Sequence, residues 1–194
     1  HNPEKAALLL SEEGWKKGPD GMLQKDGKKF EFVLMTNQGN KEREIIATII
    51  QQQLQKAGIK AEVRILAWNI FITEFIDKQK FEAVVMGWST GRDPDCYDIW
   101  HSSKTKEGEF NFVSYKNPEV DRLLIEGRTT YDISKRKAAY NRIHEIIAAD
   151  APYTFLYTPL ALPAIHKRIH GIDPGPAGIG HNFIKWYVPE ELIK

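Results

Sequence analysis

Between Phe30 and Trp88 the chain alternates strand-like runs with helical ones, and this alternation restricts the fold more than any other feature of the sequence. FEFVLMT (Phe30–Thr36) has the β-branched and aromatic bias of a strand. From Lys41 to Ala57 the apolar residues Ile45, Ile46, Ile49, Ile50 and Leu54 fall on one helical stripe, which Gly58 ends. IKAEVRIL (Ile59–Leu66) alternates apolar and charged residues, as a half-covered strand does. Asn69 is placed to cap a short helix with Ile72, Phe75 and Ile76 facing inward, and FEAVVMGW (Phe81–Trp88) reads as a third strand. The order β-α-β-α-β predicts an α/β fold with a parallel, helix-covered sheet. Ligands of open α/β sheets sit at the carboxyl ends of the strands. That rule points to two segments, the loop TNQGN after Thr36 and the residues from Trp88 onward.

The flanks are read the same way. Asn2 and Pro3 supply a cap and first turn for AALLLSEE, which stops at Gly14. KKGPDGM and QKDGKK are polar turns. Asn117 and Pro118 open a helix over NPEVDRLLIEGR. A longer helix from about Ser134 to Ala149 turns Ala138, Tyr140, Ile143, Ile146 and Ile147 inward and ends before Pro152. YTFLYT (Tyr153–Thr158) is expected to be a strand. Beyond Pro159 the Pro and Gly residues predict a loop-rich tail with a late apolar patch, FIKWYV.

Composition removes several classes of function. A chain of 194 residues with 42% hydrophobic and 27% charged residues can bury a sizeable core. A formal charge of +1 gives no electrostatic case for nucleic acid or a membrane surface. The single Cys96 rules out an internal disulfide and a multi-cysteine zinc site. HNPEK at the start, with neither Met nor a signal-peptide pattern, reads as the middle of something longer.

The densest chemistry lies in GWSTGRDPDCYDIWHSS (Gly87–Ser103). Asp93, Asp95 and Asp98 begin like a calcium loop, but Asp98 and Lys104 occupy the places that need Gly and Glu. HEIIA at His144 lacks the second His of the zinc-protease helix. No metal site and no cofactor follow. GxSxG, P-loop and dinucleotide fingerprints are absent from the sequence. Asp93 and Asp95 remain as a carboxylate pair that a hydrolase could use as acid and base, whereas Asp93-Pro94 also suits a structural turn. Binding without catalysis uses the stretch more fully. Trp88 offers an apolar face, Ser89, Thr90 and Gly91 offer hydroxyls and accessible backbone, and Arg92 offers a cation suited to a carboxylate. Trp88 could equally be a core residue at a strand end. Asn111, before FVSY, is a further candidate, either touching the solute or ordering the loop. Trp68 is expected to pack beneath the site, and Trp100 and His101 to pack the following segment.

An ordered set of pieces carries a resemblance. NPEKAALLLSEEGW, DGK before a strand, QQQLQKAGIKAEV, Trp68 and Phe71 before FEAVVMGW, DPDCYDIWHSS, FNFVSYKNPEVDRLL and APYTFLY follow one another in the sequence. Together they resemble the C-terminal lobe of a family 5 extracellular solute-binding protein, the oligopeptide, dipeptide and nickel receptors of ABC importers. The match is collinear over residues 2–158 and thinner afterwards.

The resemblance implies a type II periplasmic-binding-protein-like lobe over residues 1–158, with a mostly parallel, helix-covered sheet. It further implies a tail, residues 159–194, that returns to an N-terminal lobe preceding His1. The implied function is capture of a peptide, or a related small solute, between two lobes for delivery to a membrane permease. A nickel complex or a sugar is the alternative solute. The implied location is periplasmic or extracellular, with the intact protein membrane-anchored as a lipoprotein. The segment after the GW strand lines the pocket in this family. Many of its peptide receptors carry, three residues after that tryptophan, an aspartate that meets the ligand's amino group. Here that position is Gly91, which leaves the ligand class open.

Overall fold

The computed structural model describes residues 1–176 and 178–193. The chain forms two compact units. The first is His1–Ser89 with Asp95–Asp150, and the second is Thr90–Pro94 with the described part of Ala151–Lys194.

The first unit begins with helix α1 (Pro3–Glu12), whose N-cap Asn2 accepts the Lys5 N–H at 2.9 Å. A small antiparallel sheet follows, made of β1 (Lys16–Lys17), β2 (Leu23–Lys25) and β3 (Lys28–Lys29). The sequence reading placed only turns here. Strands of two or three residues are too short to show a periodicity. Their hairpin is legible only in Asp26-Gly27, both at positive φ, as a two-residue turn of this kind requires.

Strand β4 (Glu31–Asn37) lies at the centre of the main sheet. It pairs in parallel with β5 (Lys60–Leu66) on one edge and with β6 (Ala83–Val84) on the other. Its last four residues are buried, so both faces are covered there, as parallel sheets require. Helix α2 (Lys41–Lys56) crosses from β4 to β5, capped by Asn40, which accepts the Arg43 N–H. Ala47 is fully buried, and Ile46, Ile50 and Leu54 pack with it against Leu34, Ala61 and Val85. The expected stripe is therefore half right. Ile45 and Ile49 lie one step around the helix and are exposed.

Two further expectations shift. The element after β5 is a short helix α3 (Trp68–Ile70) continued by a π-helical turn, Phe71–Ile76. Its cap position is Ala67, so Asn69 lies inside the helix and caps nothing. Phe71 and Ile76 are buried, and Ile72 and Phe75 are half-buried. The strand expected over Phe81–Trp88 is confined to Ala83–Val84. Before it, the Glu82 carboxylate takes the Val33 N–H at 2.7 Å, in place of a main-chain carbonyl. Past it, the Val85 N–H and carbonyl still bond to Met35 O and Thr36 Oγ1, and then the chain leaves the sheet.

Helices α4 (Tyr97–Trp100), α5 (Pro118–Thr129) and α6 (Ile133–Asp150) complete this unit. Asn117 caps α5 as expected, accepting from Glu119 N and Val120 N. α6 buries Ala139, Tyr140, Ile143, Ile146 and Ile147, so Ala139 takes the inward place expected of Ala138. Gly127 of α5 lets the Tyr140 ring approach, since a Cβ there would stand 3.0 Å from it.

In the second unit Tyr153–Thr158 forms no strand, contrary to the sequence reading. A strand needs a ladder partner, and the described residues of this unit offer none to that run. The unit has a small nucleus of its own. Asn182 is buried, donates to Gly171 O at 2.8 Å and accepts Trp186 Nε1–H at 2.8 Å, next to an antiparallel bridge between His170 and Tyr187.

Gly58 joins the two sheets of the first unit. Its carbonyl accepts the Leu23 N–H at 2.7 Å, its φ is 85°, and a Cβ there would lie 2.8 Å from Gly21 O. Gly58→Ala is expected to cost about 2 kcal/mol, measured as a lower urea midpoint at unchanged slope. An unchanged midpoint would contradict the role given to this turn.

Candidate functional site

The carboxyl ends of β4 and β6 place Asn37 and the Gly87–Trp88 turn together. Asn37 is buried, and its Oδ1 accepts from the Arg43 guanidinium at 2.7 Å. The other end of that guanidinium lies against Gly87. Trp88 stands at the same edge, 38% exposed. Its ring stacks on Phe112 at 5.8 Å and meets Phe110 edge-on at 5.5 Å, while Phe112 meets Phe81 edge-on at 5.9 Å. Phe112 is buried and Phe110 is 55% exposed. Trp88 is thus rooted in the core on one side and open to solvent on the other, an aromatic wall of the kind that solute pockets use.

The predicted binding residues after Trp88 are exposed. Ser89 closes the first stretch of unit one, while Thr90, Gly91, Arg92 and Asp93 belong to the second unit. Where the chain re-enters the first unit it is clamped. Asp95 Oδ2 accepts from Arg128 Nη2 at 2.8 Å and Nε at 3.1 Å, and Oδ1 accepts the Tyr97 N–H at 3.1 Å. The same guanidinium covers the Tyr97 ring at 4.3 Å, and Tyr97 stacks on His101 at 4.2 Å. Asp95 therefore fastens the chain with both oxygens, which does not favour its use as a catalytic acid or base. The setting of Cys96 does not favour a thiolate. Burial, with help from the Asp95 charge, pushes its thiol up to about 11, so it stays protonated at neutral pH.

Asn111 takes the ordering role. It is fully buried, donates to His101 O and Tyr115 O at 3.1 and 2.9 Å, and accepts the Tyr115 N–H at 3.0 Å. Its carboxamide is consumed by the loop that carries Phe110 and Phe112, so it supports the aromatic wall and presents nothing to a solute. Tyr115 extends the support. Its hydroxyl donates to Asp150 at 2.6 Å, and Asn117 Nδ2 donates to the same oxygen at 3.0 Å. These two bonds hold the Asp150 carboxyl below its ordinary range.

Trp100 packs as expected, buried and edge-on to Tyr115. Trp68 does not pack beneath the site. It is 52% exposed and touches Phe71 only obliquely. Two residues escaped the sequence reading, Arg43 and Arg128. For Arg43 a signal existed: a cation in the first turn of a helix, just after the loop TNQGN, runs against the helix dipole.

Asn111→Ala is expected to destabilise the first unit by about 3 kcal/mol, because it leaves the buried loop without its bonds to the Tyr115 N–H and carbonyl and removes one of the two donors to His101 O. Thermal unfolding together with near-ultraviolet circular dichroism of the aromatic cluster reads this. A variant with wild-type stability would remove Asn111 from the account.

With the geometry in place, the relatives are informative. The sequence profile of the bacterial extracellular solute-binding proteins, family 5 Middle, matches residues 1–110. The oligopeptide-binding protein AppA of Bacillus subtilis is 43% identical over 190 residues, which is 97% of this chain and 35% of that protein. The solved structure of AppA from Bacillus subtilis with a nonapeptide superposes with a TM-score of 0.80 at 42% identity, covering 98% of this chain and 38% of that one. NikZ from Campylobacter jejuni, solved with Ni(L-His), gives 0.76 at 26% identity over 96% of this chain and 39% of that one. The chain thus spans between a third and two fifths of these proteins' lengths. Its fold is that of an α/β type II periplasmic-binding-protein lobe, and the chain belongs to the family 5 bacterial extracellular solute-binding proteins.

Proposed function

We propose that this chain is the C-terminal lobe of a two-lobed receptor that captures peptides for an ABC importer. The observation that carries the reading is the aromatic wall at the sheet's carboxyl edge: Trp88 open to solvent, seated on Phe112 and flanked by exposed Phe110. A rigid amphipathic surface of this sort accommodates varied side chains at low entropic cost, as a peptide receptor requires. The kinship with AppA, a protein solved with a nonapeptide, supports the same class of solute. Trp88, Ser89, Thr90, Gly91, Arg92 and Asp93 form the solute-facing segment in this reading, with Asn111 behind it.

The rest of the assignment follows from the family. Residues 1–158 make the lobe, and the tail 159–194 returns to the other lobe. That reading accords with the exposure of Leu160, Leu162, Phe183 and Ile184. The receptor closes over its solute, meets a membrane permease, and works in the periplasm or outside the cell, anchored to the membrane as a lipoprotein. It performs no catalysis. Asp95 is committed to Arg128, and Cys96 is held as a thiol.

Gly91 stands where an aspartate for the ligand's amino group is expected, so recognition rests on main-chain and aromatic contacts. Isothermal titration of the intact receptor is expected to give saturable peptide binding. Acetylating the peptide N-terminus should change affinity by no more than about twofold, far less than the loss of a charge-assisted bond would. Trp88→Ala should weaken binding at least about fivefold. Absence of binding would overturn the peptide assignment, and a tenfold or greater loss on acetylation would place an amine anchor elsewhere in the pocket.

A further inference from the structure

Four non-glycine residues hold a positive φ among the described residues, and two of them are bonded to each other. Gln79 has φ 54° and Ser114 has φ 55°. The Ser114 hydroxyl donates to Gln79 Oε1 at 3.0 Å, and Gln79 Nε2 donates to Thr105 O at 2.8 Å. One half-buried carboxamide thus ties both ends of the span Thr105–Ser114, which carries Phe110 and Phe112.

The backbone at Gln79 makes this side chain conspicuous. Lys80 N–H donates to Phe75 O at 2.8 Å and Gln79 N–H to Ile76 O at 3.0 Å, a helix end whose closing residue takes the left-handed conformation. Glycine is the usual occupant, because a Cβ is disfavoured there. A glutamine in this place carries a conformational penalty, and its carboxamide supplies what glycine lacks, bonds to a loop 26 and 35 residues away. Locally unfavourable conformations that their surroundings enforce gather at sites that hold ligands. The same turn leads into Phe81, which meets Phe112 edge-on at 5.9 Å. The span is pinned again where Gly108 N–H donates to Asp77 O at 3.2 Å, two residues before Phe110. Asn111 bonds to His101 and Tyr115, which flank the span, whereas Gln79 fixes it against the turn before Phe81.

We propose that Gln79 is a positioning residue of the solute site, setting through Phe110 how strongly the wall favours an aromatic side chain. Phe110 stands edge-on to Trp88 at 5.5 Å and is exposed, so a shift of the span alters the surface offered beside the indole. This inference rests on the peptide-receptor reading, yet it can fail while that reading survives.

The test titrates the intact receptor with hexaalanine and with a set in which one phenylalanine replaces each alanine in turn. At one position phenylalanine is expected to tighten binding to the wild type at least about fivefold. Gln79→Ala should lower that contrast to about twofold or less, weakening the phenylalanine peptide more than hexaalanine. Ser114→Ala, which removes one of the two bonds, should lower it in part. In a receptor carrying Phe110→Ala, adding Gln79→Ala should change the contrast no further, since Gln79 acts through that ring. Thermal unfolding of each variant separates lost selection from lost folding. If Gln79→Ala fails to fold, Gln79→Gly, which suits the turn and lacks the carboxamide, takes its place. A wild type without the phenylalanine preference, folded Gln79 variants with an undiminished one, or a further loss on top of Phe110→Ala would overturn the role of Gln79 and leave peptide capture intact. No binding of any peptide would overturn both.

Discussion

Strand β4 is hydrogen-bonded in parallel on both edges, over its full length to β5 and at Leu34 and Met35 to β6. The arrangement of the carboxyl end of the sheet depends on that double pairing. It sets Asn37 at the end of the ladder, starts α2 four residues later, and releases the chain at Gly87–Trp88 beside it. A one-residue slip would turn Leu34 out of the core and Asn37 away from Arg43. Burial resists the slip, since Leu34 and Met35 are covered on opposite faces of the same strand.

The aromatic wall depends on a second arrangement, which is polar. Trp88 can be exposed because Phe112 and Phe81 hold it from behind, and Phe112 is held by the Asn111 loop. Asn111, Tyr115, Asn117 and Asp150 form a chain of bonds from that loop to the ends of α5 and α6. Farther along, Arg128 ties α5 to Asp95. Helices α5 and α6 thus fix both the residue behind the wall and the point where the exposed segment rejoins the unit. Such supported sites keep their geometry when a solute arrives, and this lowers the entropic cost of binding.

Much of this was legible in the sequence, for identifiable reasons. β4, β5, α2, α5 and α6 carry long, consistent patterns or unambiguous caps, so they were found to within a residue or two. β1 to β3 were missed because two-residue strands have no period to detect. The π-helical turn at Phe71–Ile76 shifted the inward face, burying Phe71 and Ile76 five residues apart where a helical reading turned Ile72, Phe75 and Ile76 inward. Tyr153–Thr158 has the composition of a strand but joins no sheet ladder among the described residues, and ladder pairing is invisible to local pattern. Among the candidate residues, Trp88 drew notice by its position after a strand. Arg43 was passed over although its place in the first turn of α2 was readable, because its bond to Asn37 and its approach to Gly87 join segments far apart in the sequence. Asn111 was read as a residue that touches the solute or orders the loop, and its side chain is buried within that loop.

Native mass spectrometry of the intact receptor, compared with the same sample after denaturation, tests peptide capture most directly. The account predicts that denaturation releases a ladder of masses matching short peptides. A single non-peptide mass, or a metal adduct, would contradict it and give the wall built on Trp88 a different solute.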